Sequence, residues 1–253
     1  MNRTGGAIAL GIAVAAGLLF GLFPQLDIAG ARLFSPDGGF PLQHAPSLML
    51  FRDGSMWLIQ LMIAPVIIAV LIKLIFPRSR MLVRGRTALL LISTLILGPW
   101  LVTNVVLKDH WGRPRPREVV ELGGAKPFVP WWSLAGTCEK NCSFASGEAS
   151  AAAWTFAPAS VAPPPWRPLA YAGAAVFTAA VGVKRAAFGG HFLSDVVFGG
   201  VITFLIVWLV HGLIFRWRTR ISDEAIEGAI ARAGWLLRRP FGREEKPSTE
   251  SKR

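Results

Sequence analysis

Long apolar stretches alternate with short polar segments along most of this chain. Five stretches, 6–23, 56–76, 87–107, 168–183 and 196–215, carry little charge. Each approaches the roughly 20 residues that cross a bilayer as a helix. A sixth, 146–162, is shorter, rich in Ala and interrupted by Pro158, with no charge after Glu148. It holds Trp154 and Phe156 and reads as a helix buried against its neighbours rather than facing lipid. The pattern predicts an all-α protein, a polytopic transmembrane bundle with six spanning helices. Residues 1–55 then hold the first helix and an extracytoplasmic loop, 56–215 the core, and 216–253 a basic tail. In the tail, Ser222 suits a helix N-cap and Asp223 and Glu224 a first turn. Ile226, Ile230, Ala233 and Leu237 follow at helical spacing, with Arg232, Arg238 and Arg239 toward the far end. This predicts an amphipathic helix on the cytoplasmic leaflet, the alternative being a solvated tail. After Phe241 the composition predicts disorder.

Composition agrees with a membrane environment. Hydrophobic residues make up 53% of the chain, mean hydropathy is +0.47, and there are 10 Trp. Trp suits the headgroup level, where its ring is apolar and its N–H is wet. The formal net charge is +12. No zinc finger or other nucleic-acid signature accompanies it, so no nucleic-acid partner is expected. With six crossings, one side collects the N-terminus, 73–86, Arg167 and the tail, with 17 Lys and Arg against 6 Asp and Glu. The other side, 24–55, 108–148 and 184–195, has 10 against 9. The first side is therefore expected to be cytoplasmic, with both termini on it. The first stretch has a second reading as a signal peptide, because Arg3 precedes it and Ala29-Gly30-Ala31 resembles a cleavage site. Its apolar run is longer than a signal core, which favours a retained helix. The two cysteines, Cys138 and Cys142, make a poor zinc site. They are a candidate disulfide if their loop faces an oxidising compartment, and free thiols otherwise.

On the outward side the basic residues gather in short segments, which topology does not explain. The first reads Lys108-Asp109-His110-Trp111-Gly112-Arg113-Pro114-Arg115-Pro116-Arg117. Its prolines hold the arginines in an extended shape, and the planar fork of Arg suits phosphate. The second, Cys142 to Ser150, places Ser146, Gly147 and Glu148 at the start of a predicted helix, where exposed N–H groups suit an anion. The third runs from Lys184 and Arg185 to Gly189-Gly190-His191 and on to Asp195. His191 and Asp195 are four apart and share a helix face. A carboxylate there can take one imidazole N–H and leave the other nitrogen to attack. Gly189 and Gly190 would let the backbone approach a ligand closely.

Together the three segments resemble the signature of the type 2 phosphatidic acid phosphatase and vanadium haloperoxidase superfamily: K-x6-R-P, then P-S-G-H, then S-R-x5-H-x3-D. Lys108, Arg115 and Pro116 match the first part; Ser146 and Gly147 match half of the second; Arg185, His191 and Asp195 match the third. The resemblance covers about 56–215. It implies a phosphohistidine mechanism in which His191 attacks phosphorus and Asp195 orients the imidazole. Lys108, Arg115 and Arg185, with N–H groups near Ser146 and Gly147, would hold the phosphoryl oxygens. No metal or cofactor is implied. The bacterial membrane branch implies a lipid phosphate as partner, in a cytoplasmic membrane with the site facing the periplasm. The candidates are lipid A, phosphatidate, phosphatidylglycerol phosphate and undecaprenyl pyrophosphate.

Three positions depart from that signature, the first being Ala145 in place of its Pro. Glu148 stands where the pattern has the His that protonates the leaving group, and Lys184 stands where Ser is usual. Glu148 is open to three roles: general acid, activator of water, or partner of an arginine. His110 is a second candidate acid. A vanadate-dependent haloperoxidase and a non-catalytic lipid-phosphate-binding member are the alternative readings. Headgroup and acyl selectivity are expected in 24–55 and 117–145. His44 and His211 receive no role, and the pattern says nothing of oligomeric state.

Overall fold

The computed structural model describes residues 1–217 and 221–238. Arg239 and everything after Phe241 lie outside the described residues. The chain is helical, and among the described residues its only β pairing is an isolated bridge between Val119 and Lys126. The helices are α1 (Arg3–Leu22), α2 (Gln25–Arg32), α3 (Pro46–Ile75), α4 (Gly85–His110), α5 (Gly147–Ala153), α6 (Phe156–Val161), α7 (Arg167–Ala187), α8 (Leu193–Arg216) and α9 (Asp223–Arg238). Among these, α1, α3, α4 and α8 are long and apolar enough to cross a membrane. The other two expected crossings take different forms. Helix α7 is 21 residues long but ends on Lys184 and Arg185, close to the site. The stretch 146–162 is divided into α5 and α6. Pro158 has no N–H to bond the Trp154 carbonyl, so Ala157 does so in a tighter turn, at 2.8 Å.

Helix α5 is the centre of the bundle, packed against α7, α8 and the second half of α4. Its alanines explain this, since Ala149, Ala152 and Ala153 are buried and let the backbones approach. Gly199 of α8 completes the approach, because a Cβ there would lie 2.7 Å from the Ser146 carbonyl oxygen. Ser150 ties three helices together, pairing with Thr103 of α4 at 2.9 Å and with Thr203 of α8 at 2.5 Å. Trp154 is fully buried, and its indole N–H reaches Leu91 O and Thr94 Oγ1, both at 3.1 Å. Helix α4 widens to a π-helix over Ile96–Leu107, with Pro99 inside. Asn104 answers the disturbed ladder by donating its side-chain N–H to Pro99 O at 2.7 Å.

Two further elements differ from the apolar pattern. Helix α3 begins ten residues before its apolar stretch, with Pro46 in its first turn, where no N–H is needed. That carries Arg52 to the site. Helix α9 packs on α3 and α4 at the end of the bundle away from the site, where Asp223 Oδ1 accepts from Arg86 N at 2.8 Å. The amphipathic helix is thus seated on the bundle itself. At the site end, Ile28, Phe40, Val119, Leu122 and Phe192 form a small apolar cluster. It joins the loops 24–55 and 117–145 above the start of α8. Helix α1 lies along α8, where Gly6 makes room for Trp208 and the Trp208 indole donates to Asn2 O at 2.9 Å.

Trp154→Phe should keep the packing but leave the Thr94 and Leu91 acceptors short of a donor. We expect a loss of about 1 kcal/mol, read as a lower Tm in detergent.

Candidate active site

The phosphate-type cations are brought together by a stitched pair of loops. Lys108 ends α4, and the chain then turns at Gly112, whose φ is +71°. The returning strand of loop bonds back along it: Cys138 N to Gly112 O, Cys142 N to Lys108 O, and Ser143 N to Arg113 O, at 2.8–3.0 Å. A Cys138–Cys142 disulfide closes the tip. Within it Asn141 adopts φ +53°, a left-handed conformation that Asn tolerates well. Its side-chain oxygen accepts from both Lys108 Nζ, at 3.4 Å, and Arg115 Nη2, at 2.9 Å. Two cations from different loop positions thus converge on one oxygen atom.

These groups face a cavity of about 470 Å³. Lys108, Arg115, Glu148 and Arg185 line it, as do Arg52, Arg117, Asn141 and His44. Arg52, Arg117 and Asn141 were not legible as site residues, and His44 received no role; all four come from loops or a helix end outside the recognisable spacing. His110 is not brought to the cavity. It is exposed, with Nδ1 bonded to Val106 O at 2.9 Å.

His191 lies buried beside this cavity, 1% exposed. Its Nδ1 bonds Ser143 O at 2.6 Å. A carbonyl can only accept, so Nδ1 carries the proton and Nε2 keeps its lone pair. The expected direct bond from Asp195 is not formed. Asp195 Oδ2 lies 4.0 Å from Nδ1, beyond hydrogen-bond range. Asp195 instead accepts from Ser143 Oγ at 2.5 Å, from Phe192 N at 2.8 Å and from Arg113 Nη1 at 2.5 Å. Ser143 therefore stands between the two, accepting from His191 and donating to Asp195. Burial pushes the His191 imidazole well below its usual range, and Arg185, Lys108 and Arg115 push it the same way; the Ser143 bond opposes them. The ring is neutral at neutral pH.

Glu148 is surrounded by cations. It pairs with Lys184 Nζ, with Arg185 Nη1 at 3.0 Å and with Arg52 Nε at 3.8 Å. These neighbours favour its carboxylate form. Two of the three departures from the family signature, Glu148 and Lys184, are in contact with each other. Lys184 is 2% exposed.

The glycines act differently from the expectation. Gly189 has φ +59° and lies under the Phe40 ring, while Gly190 leaves space for the Arg185 guanidinium, 2.5 Å from where a Cβ would sit. They seat Arg185 rather than a ligand. The Ser146 N–H is taken by Asp195 O at 3.0 Å, and Ser146 Oγ caps α5 through Ala149 N at 3.4 Å. Gly147 sits against Lys108, whose Nζ would lie 3.1 Å from a Cβ there.

Asp27 and Arg113 were missed as site residues. Both are 0% exposed. Arg113 bonds Asp27 Oδ2 through Nη2 at 2.8 Å, Ser194 Oγ through Nη1 at 2.8 Å and Val129 O through Nε at 2.8 Å, besides Asp195. A lone Asp beyond an apolar helix is the signal that could have drawn attention to position 27.

Among the described residues no group of His, Cys, Asp and Glu is arranged to hold a metal ion. The family model of the PAP2 superfamily matches residues 87–219. The chain is 34% identical to a lipid A 4'-phosphatase of Francisella tularensis subsp. novicida, over 83% of this chain and 96% of that protein. It is 35% identical to lipid A 4'-phosphatases of Rhizobium leguminosarum and Rhizobium etli, each over 72% of this chain and over 84% and 76% of theirs. No solved structure matches it. Lys108, Arg115 and Arg185 of the signature line one cavity, and His191 and Asp195 are buried; with these matches, the chain belongs to the PAP2 superfamily.

Proposed function

We propose that this protein is a membrane lipid phosphatase, a phosphoric ester hydrolase that acts on lipid A or a lipid phosphate of similar headgroup. The observation that carries this reading is the convergence of Lys108 and Arg115 on the Asn141 amide oxygen. A phosphoryl oxygen in that position would meet the same two donors. Arg185 lines the same cavity and supplies a third cation. The similarity to three lipid A 4'-phosphatases favours lipid A among the candidate lipids.

The chemistry follows from the charges. Neutral His191 attacks phosphorus through Nε2 and forms a phosphohistidine. Lys108, Arg115 and Arg185 stabilise the charge that develops on the phosphoryl oxygens. Glu148 starts as a carboxylate. An incoming phosphate dianion competes for Arg185 and raises the affinity of Glu148 for a proton. Glu148 then gives that proton to the leaving oxygen and takes one back from the water that hydrolyses the phosphohistidine. Lys184 holds the carboxylate at the cavity wall. The reading places the protein in a bacterial inner membrane with six crossings, both termini cytoplasmic and the cavity facing the periplasm, as the distribution of Lys and Arg favours.

Three measurements test it. Protein purified in detergent should release inorganic phosphate from lipid A without added metal, and His191→Ala should lower the rate at least about 10³-fold. Turnover surviving that change removes the nucleophile, and absence of release from every candidate lipid favours the binding-only member. Arg185→Met should weaken activity and also move the acid limb of kcat/KM upward in pH, because it removes the cation that weighs most on His191 after burial. A limb that stays fixed or moves down refutes that electrostatic account. Glu148→Gln should flatten one limb of the pH–rate profile, and Glu148→His should restore a limb nearer the imidazole range. Profiles unchanged in both would remove Glu148 from proton transfer.

A further inference from the structure

The residues that hold Asp195 lead away from the cavity and into a part of the chain outside the family match at 87–219. Asp195 is 0% exposed, and its partners are arranged in two directions. Toward His191, Oδ2 accepts from Ser143 Oγ and from Phe192 N, the residue next to the ring. Away from it, Oδ1 accepts from Arg113 Nη1. Arg113 in turn is fixed on every side. Its guanidinium lies 4.3 Å from the Phe192 ring centroid and 5.6 Å from that of Phe128. Its Nε and both terminal nitrogens are bonded, Nη2 to Asp27 Oδ2 at 2.8 Å. Asp27 also accepts from Ser194 N at 3.0 Å and from Ser194 Oγ at 2.6 Å, on the first turn of α8 that carries Asp195.

We propose that Asp27 and Arg113 are positioning residues for the nucleophile, acting through Asp195 and Ser143 on His191. The proposal rests on the phosphatase reading above. Asp195 makes three bonds, two of which end on groups that set the His191 ring: the Ser143 unit that takes its N–H and the adjoining Phe192 backbone. Rotation of the Asp195 carboxylate would disturb both. Arg113 prevents that rotation, and Asp27 prevents Arg113 from turning wholly onto Asp195. With both carboxylates present one guanidinium is shared between two anions, and Asp195 keeps part of its charge for Ser143 and for the imidazolium side of the reaction. With Asp27 neutral, Arg113 is left to Asp195 alone, which draws the carboxylate from Ser143. Neither Asp27 nor Arg113 lines the cavity, so substrate contacts are untouched.

The test is steady-state kinetics of Asp27→Asn in the full-length protein with lipid A as substrate. We expect kcat to fall about 10–100-fold, the range typical of outer partners of a functional group, with KM within about twofold. The double variant Asp27→Asn/Asp195→Asn should be no slower than Asp195→Asn, because both act along one chain of bonds. Thermal unfolding in detergent establishes that each variant is folded. If Asp27→Asn is not folded, Ser194→Ala decides the matter. It removes the hydroxyl between Asp27 and Arg113 without leaving a buried charge unpaired, and should lower kcat severalfold at constant KM. A folded variant with wild-type kcat, a loss carried by KM, or losses that multiply in the double variant each overturn the proposal. Absence of turnover in the wild-type protein is a different result, which sinks the phosphatase reading and this inference with it.

Discussion

The Arg113 guanidinium is buried without solvent between two carboxylates, and the half of the protein that carries the site is built around satisfying it. Burying an ion costs several kcal/mol unless opposite charge and hydrogen bonds surround it. Arg113 meets that demand with Asp27, Asp195, Ser194 and the Val129 carbonyl. The partners come from three separate pieces of chain. Asp27 obliges α1 and α2 to pack on α8, Val129 obliges the long loop after α4 to fold back over the site, and Asp195 fixes the start of α8. Removing one partner of such a buried group costs about 3–5 kcal/mol, since the remaining charge stays buried.

A second balance of charge runs along the cavity wall. Lys108, Arg115, Arg117, Arg185 and Arg52 face Glu148 there, with Lys184 buried behind it. So many cations would repel one another without an anion, and Glu148 is the internal one. A phosphate is the external one. In the proposed reaction an entering dianion competes with Glu148 for Arg185, which raises the affinity of Glu148 for a proton. Burial keeps His191 neutral, and Arg185, Lys108 and Arg115 act in the same direction. Lys184, like Arg185, favours the Glu148 carboxylate, so proton donation by Glu148 in the proposed reaction depends on the entering phosphate and not on Lys184. The contact between Glu148 and Lys184 links two of the three departures from the signature.

The helices and the three phosphate-type segments were legible because they depend on local pattern: apolar runs, proline punctuation and fixed spacing. What was not legible depends on contacts distant in sequence. Asp27 and Arg113 are 86 residues apart, and neither residue type predicts burial. The break at Trp154 was signalled by Pro158, yet the sequence alone could not show that the Trp154 carbonyl would be satisfied in a tighter turn. Arg52 entered the cavity because α3 extends beyond its apolar stretch, and polar residues at the end of a membrane helix leave no hydrophobic trace of that extension. The glycines before His191 were read as making room for a ligand. They make room for Phe40 and Arg185, and the periodicity of a sequence cannot distinguish the two.

The spacing of His191 and Asp195 shows most clearly what a motif encodes. Four residues apart predicts proximity, and proximity is what the structure has, at 4.0 Å. It does not predict the bond. His191 precedes α8 and is not on its helical face, so the ring turns toward the loop and Ser143 supplies the acceptor. The Asp195 charge still acts on the ring, through space and through the Ser143 hydroxyl that it holds. This arrangement fixes the tautomer with a carbonyl, which cannot take the proton from the ring, and in the proposed reaction it leaves the carboxylate to stabilise positive charge on the imidazole. The division of labour separates orientation from electrostatics, and it makes Ser143, a residue with no place in the signature, the atom-level link between the two residues that define it.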